Sequence, residues 1–249
     1  MAKITVSPEL LNQVAYANYY SPHSVLGPHS DGEDITIRTV RHMAQSVTIV
    51  TEHGEFPAEH ERDGVWVAVI PHAEVEDYRV KVTYGDQEVL GDDPYRFLPT
   101  LGEMDTYLIS EGRHERLWDV LGAHIKEYEG PLGVVKGVAF AVWAPNAQAV
   151  KVVGDFNFWD GSGCAMRSLG ASGVWELFIP GVEIGARYKY DIKGPDGNWR
   201  QKADPMARAT EIPPATASVV TDKFHTWNDD EWMEQRAANV EEHPIHAQP

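Results

Sequence analysis

An internal repeat is the feature of this sequence that most constrains its fold, because it fixes how many similar units the chain contains. Val25-Leu-Gly-Pro-His29 returns as Val120-Leu-Gly-Ala-His124, and a β-rich segment follows each motif after a polar stretch. Four further matches occur in the same order: residues 47–50 with 150–153, 64–71 with 173–180, 78–80 with 188–190, and 93–94 with 204–205. Matches in one order at a nearly constant offset predict two copies of one domain.

Both copies consist of short segments rich in Val, Ile, Tyr, Phe and Trp, separated by turn-forming pairs such as Asp63-Gly64 and Ser172-Gly173. β-Branched and aromatic residues favour strands, and pairs of this kind favour tight turns. A copy of about 100 residues with strands at this spacing is typical of an immunoglobulin-like sandwich of about seven strands. The sequence therefore predicts an all-β protein with two tandem immunoglobulin-like β-sandwiches.

One short helix is predicted from Ser7 to Ala17, before the first sandwich. Ser7 suits the N-cap and Pro8 suits the first helical position, while Leu10, Val14 and Ala17 follow at helical spacing. We expect this helix to pack against the first sandwich. The sequence thus divides into an N-terminal sandwich (1–112), a second sandwich (113–228) and a polar linker (229–249).

The formal net charge of -17 excludes partners rather than selecting one. It would repel a phosphate backbone, and no basic stretch offsets it, so we expect neither nucleic acid nor an anionic membrane as a partner. No apolar run approaches the roughly 20 residues that span a bilayer, and the first ten residues lack a signal sequence. The single cysteine, Cys164, is expected to be an unreactive thiol in a reducing compartment, which predicts a cytoplasmic protein.

The second copy carries a specific family resemblance. Phe140-Ala-Val-Trp-Ala-Pro-Asn-Ala147, followed by Val152-Val-Gly-Asp-Phe-Asn-Phe-Trp-Asp-Gly161, closely resembles the glycogen- and starch-binding sandwich of branching enzymes. The first copy, with Tyr20-Ser-Pro-His-Ser-Val-Leu-Gly-Pro-His29, is similar to the extra N-terminal domain of many bacterial 1,4-α-glucan branching enzymes. The resemblance implies that a catalytic (β/α)8 barrel would come next in the family, and we expect this chain to end before it.

The sequence predicts no catalytic residue. A retaining glycosyl transfer needs two carboxylates held roughly 5 Å apart around the sugar. Asp92, Asp93 and Asp155 lie in turn-like or polar segments, where we expect solvated side chains. The histidines lack metal-binding spacing, His243-Pro-Ile-His246 falls in the polar tail, and no Gly-rich phosphate loop occurs. We therefore expect no metal, no cofactor and no branching activity from this chain alone.

Sugar binding is better supported. A pyranose presents a flat C–H face to an aromatic ring, and its hydroxyls need polar partners at the edge. Trp159 lies in a polar loop and Trp199 follows a Pro-Asp-Gly turn, while strand alternation points Lys189 to solvent and Tyr188 and Tyr190 to the other face. The resemblance implies the same three residues by motif. The predicted carbohydrate-binding residues are therefore Trp159, Lys189 and Trp199, and the predicted ligand is an α-glucan such as glycogen.

The other tryptophans and the first copy receive different interpretations. Three tryptophans lie inside strands and are expected in the cores: Trp66, Trp143 and Trp175. Three flank the second copy, and the sequence leaves their packing open: Trp118, Trp227 and Trp232. In the first copy residues 51–55 stand in place of the Trp159 loop, and Arg79 stands in place of Lys189. We expect that copy to bind no sugar and to act as a spacer or docking surface.

Two other functions stay open. A structural module that orients the barrel without sugar affinity would bury Trp159 and Trp199 against a neighbour. It is favoured by Ala217-Ser218, which stands where related modules carry an Asn before the last strand. A regulatory glycogen-sensing subunit, similar to the kinase β subunit, is disfavoured by the duplicated domain and by the Met1-Ala2 start, which excludes myristoylation.

Overall fold

The first sandwich is a single antiparallel sheet that folds over on itself. The computed structural model describes residues 3–71, 74, 77–222 and 228–238. Seven strands form this sheet, in the order β1-β2-β5-β4-β3-β6-β7. They are β1 (Gly27–Ser30), β2 (Ile35–Val40), β3 (Ser46–Thr51), β4 (Gly54–Arg62), β5 (Val65–Ile70), β6 (Arg79–Tyr84) and β7 (Gln87–Gly91). The long strand β4 joins the two halves, because residues 54–58 pair with β3 and residues 59–62 pair with β5.

The second sandwich has two separate antiparallel sheets. Its strands are β8 (Gly122–Gly130), β9 (Gly133–Trp143), β10 (Ala149–Gly154), β11 (Arg167–Ser168), β12 (Val174–Pro180), β13 (Arg187–Lys193), β14 (Trp199–Lys202), β15 (Ala209–Thr210) and β16 (Ser218–Val219). One sheet has the order β11-β12-β9-β8, and the other has the order β10-β13-β16-β15 with β14 also paired to β13. Inward residues of β9, β10, β12 and β13 share one core. The predicted all-β class with tandem sandwiches is confirmed.

The sequence repeat is also present in three dimensions. Gly27 and Gly122 begin equivalent strands with φ angles of 84° and 100°, a region that glycine adopts without strain. A Cβ on Gly122 would come within 3.0 Å of the Met206 carbonyl oxygen, and the same atom on Gly27 would clash with the Tyr95 carbonyl. Side-chain hydrogen bonds repeat as well: His29 to Leu26 O (3.2 Å) matches His124 to Leu121 O (2.9 Å), and Trp66 to Arg41 O (3.1 Å) matches Trp175 to Ala144 O (3.0 Å).

The described residues contain three α-helices: α1 (Pro8–Ala15), α2 (Glu103–Ser110) and α3 (Asp230–Ala238). The predicted helix is α1; the Ser7 hydroxyl accepts a hydrogen bond from Leu10 N at 3.2 Å, and the helix ends before Ala17, whose φ is 55°. As expected, α1 packs on the first sandwich, where Asn12 bonds Arg62 at 2.5 Å. Helix α2 was not predicted, and α3 begins in the segment assigned to a linker. No helix in this part of the chain is long and apolar enough to cross a membrane.

Helix α2 completes the repeat, because it follows α1 at the offset of 95 residues that also separates Val25 from Val120. Its residue Ile109 packs with Leu121, Ala141 and Val174 of the second sandwich. The predicted boundary after residue 112 had assigned this helix to the first sandwich. The contacts of α2 thus extend the second repeat upstream.

The two sandwiches share one apolar core. Buried Leu26, Val40 and Tyr95 of the first sandwich and buried residues of α1 belong to the same cluster as Phe140 and other core residues of the second. The Tyr95 hydroxyl accepts a hydrogen bond from Ala165 N at 2.9 Å. The first sandwich is therefore packed directly against the second.

A buried ionic cluster forms a second contact between the sandwiches. Arg79 lies 2.8 Å from an Asp77 oxygen and 3.0 Å from an Asp92 oxygen, and it donates to Leu132 O at 3.3 Å. Leu132 N in turn donates to Asp77 at 3.0 Å. Arg96 pairs with Asp77 as well, and burial lowers its pKa to about 10. The position equivalent to Lys189 is thus occupied by an interdomain contact.

One tryptophan prediction is wrong. Trp66 and Trp175 are buried, as expected, but Trp143 at the end of β9 is 57% exposed. Phe140 and Val142 point into the core, so strand alternation places Trp143 on the opposite face. Of the flanking tryptophans, Trp118 and Trp232 are exposed, and Trp227 lies outside the described residues.

Candidate functional site

The candidate site lies on the outer face of the sheet formed by β10, β13 and β14. Tyr188 and Tyr190 point inward and are completely buried, which leaves Lys189 and Asp191 on the outer face, as predicted. Behind them, the Asp204 carboxylate accepts hydrogen bonds from the Tyr188 and Tyr190 hydroxyls at 2.5 and 3.3 Å. Burial raises the pKa of Asp204. This buried network supports the strand that carries Lys189.

Trp199 begins β14 and is paired with Lys193 of β13, so its ring lies on the same face. The Lys151 ammonium sits 4.9 Å from the centre of that ring, within the range of a cation–π contact. Lys151 Nζ also lies 3.7 Å from an Asp191 oxygen. Lys151 was not predicted as a site residue, since its role depends on register across β10, β13 and β14.

The loop after β10 carries Trp159 on a backbone that specific residues hold in place. Asn157 accepts a hydrogen bond from Gly154 N and donates one to Val152 O, both at 2.9 Å. Phe158 and Trp159 then have φ angles of 53° and 63°, an uncommon conformation for non-glycine residues that requires such support. The loop therefore presents Phe158 and Trp159 outward.

An ion pair orients the Trp159 ring. Its indole N–H donates to Asp155 Oδ1 at 3.3 Å. The Asp155 carboxylate also accepts hydrogen bonds from Nε and Nη2 of Arg187, at 2.8 and 3.1 Å. These hydrogen bonds hold the pKa of Asp155 below its usual range. Trp159 remains 37% exposed. Its ring is thus accessible and directed by the pair of Asp155 and Arg187.

Lys189 is positioned by the chain that precedes β16. Its ammonium donates to the Thr216 hydroxyl at 2.8 Å. Glu211 holds the segment before β16 in place, because its carboxylate accepts hydrogen bonds from Ala217 N at 2.9 Å and from Arg187 Nη1 at 3.3 Å. Arg187 therefore connects the supports of Trp159 and of Lys189.

Ser218 does not belong to the outer face. It is completely buried, and its hydroxyl accepts a hydrogen bond from Asp204 N at 2.9 Å. The exposed hydroxyl of Thr216 is the polar group that faces Lys189 in this part of the chain. Ser218 therefore contributes no polar group to the outer face.

Lys189 and Trp199 share one face of the sheet, and the loop of Trp159 adjoins that face through the pair of Asp155 and Arg187. A Cβ on Gly161 would lie 2.9 Å from Lys151 Cδ, which shows how closely the loop of Trp159 covers this lysine. The face and the adjoining loop together present two indole rings, two ammonium groups and a hydroxyl. Such a set can stack against a sugar ring and bond its hydroxyls.

The carboxylates set aside as non-catalytic are held in structural contacts. Asp155 pairs with Arg187, and Asp92 pairs with Arg79 and Arg96. Asp93 was expected to be solvated, but it is completely buried and caps a turn by accepting Tyr95 N at 3.0 Å. Within the residues given structure here, no group of three His, Cys, Asp or Glu side chains could hold a metal. His243 and His246 lie outside the described residues.

Comparison with known proteins agrees with this architecture. Residues 120–207 match the family Carbohydrate-binding module 48 (Isoamylase N-terminal domain), and residues 7–95 match the family alpha-1,4-glucan branching enzyme GlgB, N-terminal domain. A 1,4-alpha-glucan branching enzyme GlgB of Rhodococcus jostii is 49% identical over 94% of this chain and 32% of that protein. The chain thus has the two domains of the N-terminal region of GlgB branching enzymes. A relative with the same description from Thermobifida fusca is 54% identical over 92% of this chain and 31% of its own length.

The chain spans about a third of the length of these branching-enzyme relatives, and it corresponds to their N-terminal region. Among solved structures, a type I pullulanase from Bacillus subtilis complexed with maltose matches with a TM-score of 0.36 at 17% identity. That match covers 81% of this chain and 27% of the pullulanase. It is the family match over residues 120–207 that makes the second sandwich a carbohydrate-binding module 48.

Proposed function

We propose that the second sandwich binds α-glucan through Trp159, Lys189 and Trp199, and that the chain positions glycogen for the branching reaction of a longer protein. The observation that carries this proposal is the outer face that holds Lys189 and Trp199, beside the loop whose Trp159 is tied to that face through Asp155 and Arg187. Two indole rings can each take the C–H face of a glucose unit, and Lys189 with Thr216 can bond its hydroxyls.

The charge of the chain agrees with a neutral ligand. A net charge of -17 opposes phosphate-rich polymers but has no direct effect on an uncharged glucan. An open face buries little of a flexible and well-hydrated chain, so we expect a dissociation constant on the order of micromolar to millimolar.

The first sandwich is proposed as a spacer and docking domain without a sugar site. Arg79 stands where the second copy has Lys189, and its guanidinium is held by Asp77 and Asp92 at the contact with the second sandwich. We further propose the catalytic barrel of the longer protein as the protein partner of this chain. A cytoplasmic location is part of the same proposal, supported by the single cysteine and by the bacterial glycogen enzymes among its relatives.

The proposal is tested by calorimetry and affinity electrophoresis with glycogen and maltoheptaose. Trp159→Ala, Trp199→Ala and Lys189→Ala are compared with Trp143→Ala, an exposed tryptophan on the other sheet of the same sandwich. We expect saturable binding by the wild type, loss of at least tenfold in affinity for the first three variants, equivalent to about 1.4 kcal/mol, and no change for the control.

Absence of binding by the folded wild type would instead support a structural module that orients the barrel. The contacts of Lys189 with Thr216 and of Lys151 with Trp199 are the observations that favour that alternative, since both groups already have partners. Circular dichroism of each variant separates loss of binding from loss of fold.

A further inference from the structure

The two repeats have equivalent surfaces, and one of them is covered. In the first repeat, Leu26, Val40 and Tyr95 form an apolar face beside α1, and all three are buried. The second sandwich covers this face: the Tyr95 hydroxyl accepts a hydrogen bond from Ala165 N at 2.9 Å, and Ser168 N donates one to Tyr20 O at 2.8 Å. The face therefore serves as the docking surface for the next domain in the chain.

The second repeat has the same face, and it is only partly covered within this chain: Leu121 is buried and Met206 half-buried, but Trp143 is exposed. Strand register makes Trp143 equivalent to Val40, because Gly27 pairs with Arg38 as Gly122 pairs with Ala141. Leu121 and Met206 correspond to Leu26 and Tyr95 through the Val-Leu-Gly and Asp-Pro matches. These residues line a cavity of about 350 Å³ together with Ile109 of α2 and Leu117, and Trp143 is 57% exposed at its edge.

The chemistry of this cavity suits an apolar side chain. The surface of the cavity is mostly hydrocarbon, and its His114 ring is already engaged: Nε2 lies 3.2 Å from Asp105 Oδ1, and Nδ1 accepts Arg116 N at 3.2 Å. A glucan would need polar groups around each sugar ring, which this cavity does not offer. A protein surface with a protruding apolar residue fits it better.

We infer that the face around Trp143, Leu121 and Met206 is the docking surface for the polypeptide that follows this region in the longer branching-enzyme relatives. About two-thirds of each of the two relatives described above lies outside the part matched by this chain. The first repeat shows how such a face is used, since the domain that follows packs an apolar cluster and a main-chain N–H against it. The inference specifies the docking part of the proposed function and is independent of the sugar site.

The test measures how accessible position 143 is to a thiol reagent. Trp143→Cys and the control Met43→Cys are made in this chain and in a fusion of the chain to the remaining part of the Thermobifida fusca relative. Met43 is 91% exposed on the first sandwich. The native Cys164 gives no background, because it is buried and burial raises its pKa to about 11. We expect labelling at 143 to slow at least tenfold in the fusion, and labelling at 43 to stay the same.

Three labelling results would each overturn the inference. Equal labelling of position 143 in both proteins would show that nothing covers the face. Protection in the short chain that rises with protein concentration would assign the face to a second copy, and protection by maltoheptaose would assign it to sugar. Hydrogen exchange supplies a measurement that needs no fusion. In the full-length Thermobifida fusca relative, the segments aligned with residues 117–121 and 141–145 should exchange more slowly than the same segments in its isolated N-terminal region. Equal exchange in the two proteins would also overturn the inference. Loss of glucan binding would leave these readouts unchanged.

Discussion

Arg79 and Lys189 occupy equivalent positions in the two sandwiches but have opposite surroundings. Each is paired with a valine on the neighbouring strand, Val50 for Arg79 and Val153 for Lys189. The Arg79 guanidinium is held at the contact between the sandwiches, whereas the Lys189 ammonium reaches the exposed hydroxyl of Thr216. The duplication has thus assigned one strand position to interdomain packing in one copy and to an outer face in the other.

The first prediction concerns Arg79→Ala. Its side chain is 12% exposed, and removing it leaves the carboxylates of Asp77 and Asp92 short of a partner. Breaking a buried pair in this way costs about 3 kcal/mol, so the urea midpoint of unfolding should fall clearly, while glucan binding is unchanged. Arg200→Ala, which removes an exposed pair with Asp196, is the control and should have little effect. Equal midpoints for the two variants would contradict the prediction.

The second prediction concerns the support of Trp159. Asp155→Ala removes the carboxylate that accepts the indole N–H and binds Arg187. We expect the affinity for maltoheptaose to fall about 3- to 10-fold, because the free ring must then be ordered by the sugar at a cost of about 1 kcal/mol. Asp119→Ala removes a comparable exposed pair with Arg116 and should leave binding intact. A folded Asp155→Ala protein with wild-type affinity would refute this role.

The repeat and the strand alternation were sufficient to predict the architecture and the direction of Lys189. The repeat and the alternation also specify the position of α2 and the direction of Trp143. Applying the offset of 95 residues to α1 would have located α2, and the alternation that places Phe140 and Val142 inward would have placed Trp143 outward. Both features are therefore specified by patterns that extend over several segments and not by any one segment alone.

Other features could not be predicted from the sequence. The contact of Lys151 with Trp199 depends on which strands are neighbours and in what register. The inward direction of Ser218 depends on its pairing with Tyr188 and on the buried Asp204. Both result from long-range pairing, which local patterns do not specify.

The third prediction concerns pH and His23. The nitrogens of this ring are buried and lack a hydrogen-bond partner among the described residues, and the ring contacts Tyr95 edge-on with centres 5.1 Å apart. Burial lowers the pKa of His23 from 6.5 to about 2. Between these values the unfolded chain binds a proton that the folded protein does not, so stability falls as the pH drops below 6.5.

His23→Phe keeps an aromatic ring and removes this titration. Relative to that variant, the wild type should lose about 2 kcal/mol of unfolding free energy between roughly pH 8 and pH 5, since each pH unit below the unfolded pKa contributes up to about 1.4 kcal/mol. Urea unfolding of both proteins across this range provides the measurement. Parallel stability curves would show that His23 does not couple folding to protonation.

The last prediction concerns the position where related modules carry an amide. Ser218→Asn would place a larger polar group in a completely buried position, beside Asp204 and Tyr188. Overpacking of this kind costs about 1 to 3 kcal/mol, and the amide would point away from the outer face, so stability should fall without a gain in glucan affinity. Thr216→Asn is the matched variant, because Thr216 is exposed and faces Lys189. It should leave stability nearly unchanged and at least maintain the affinity measured by calorimetry. If Ser218→Asn strengthened binding in a stable protein, Ser218 would have to face the sugar, and the inward orientation of β16 at this residue would be wrong.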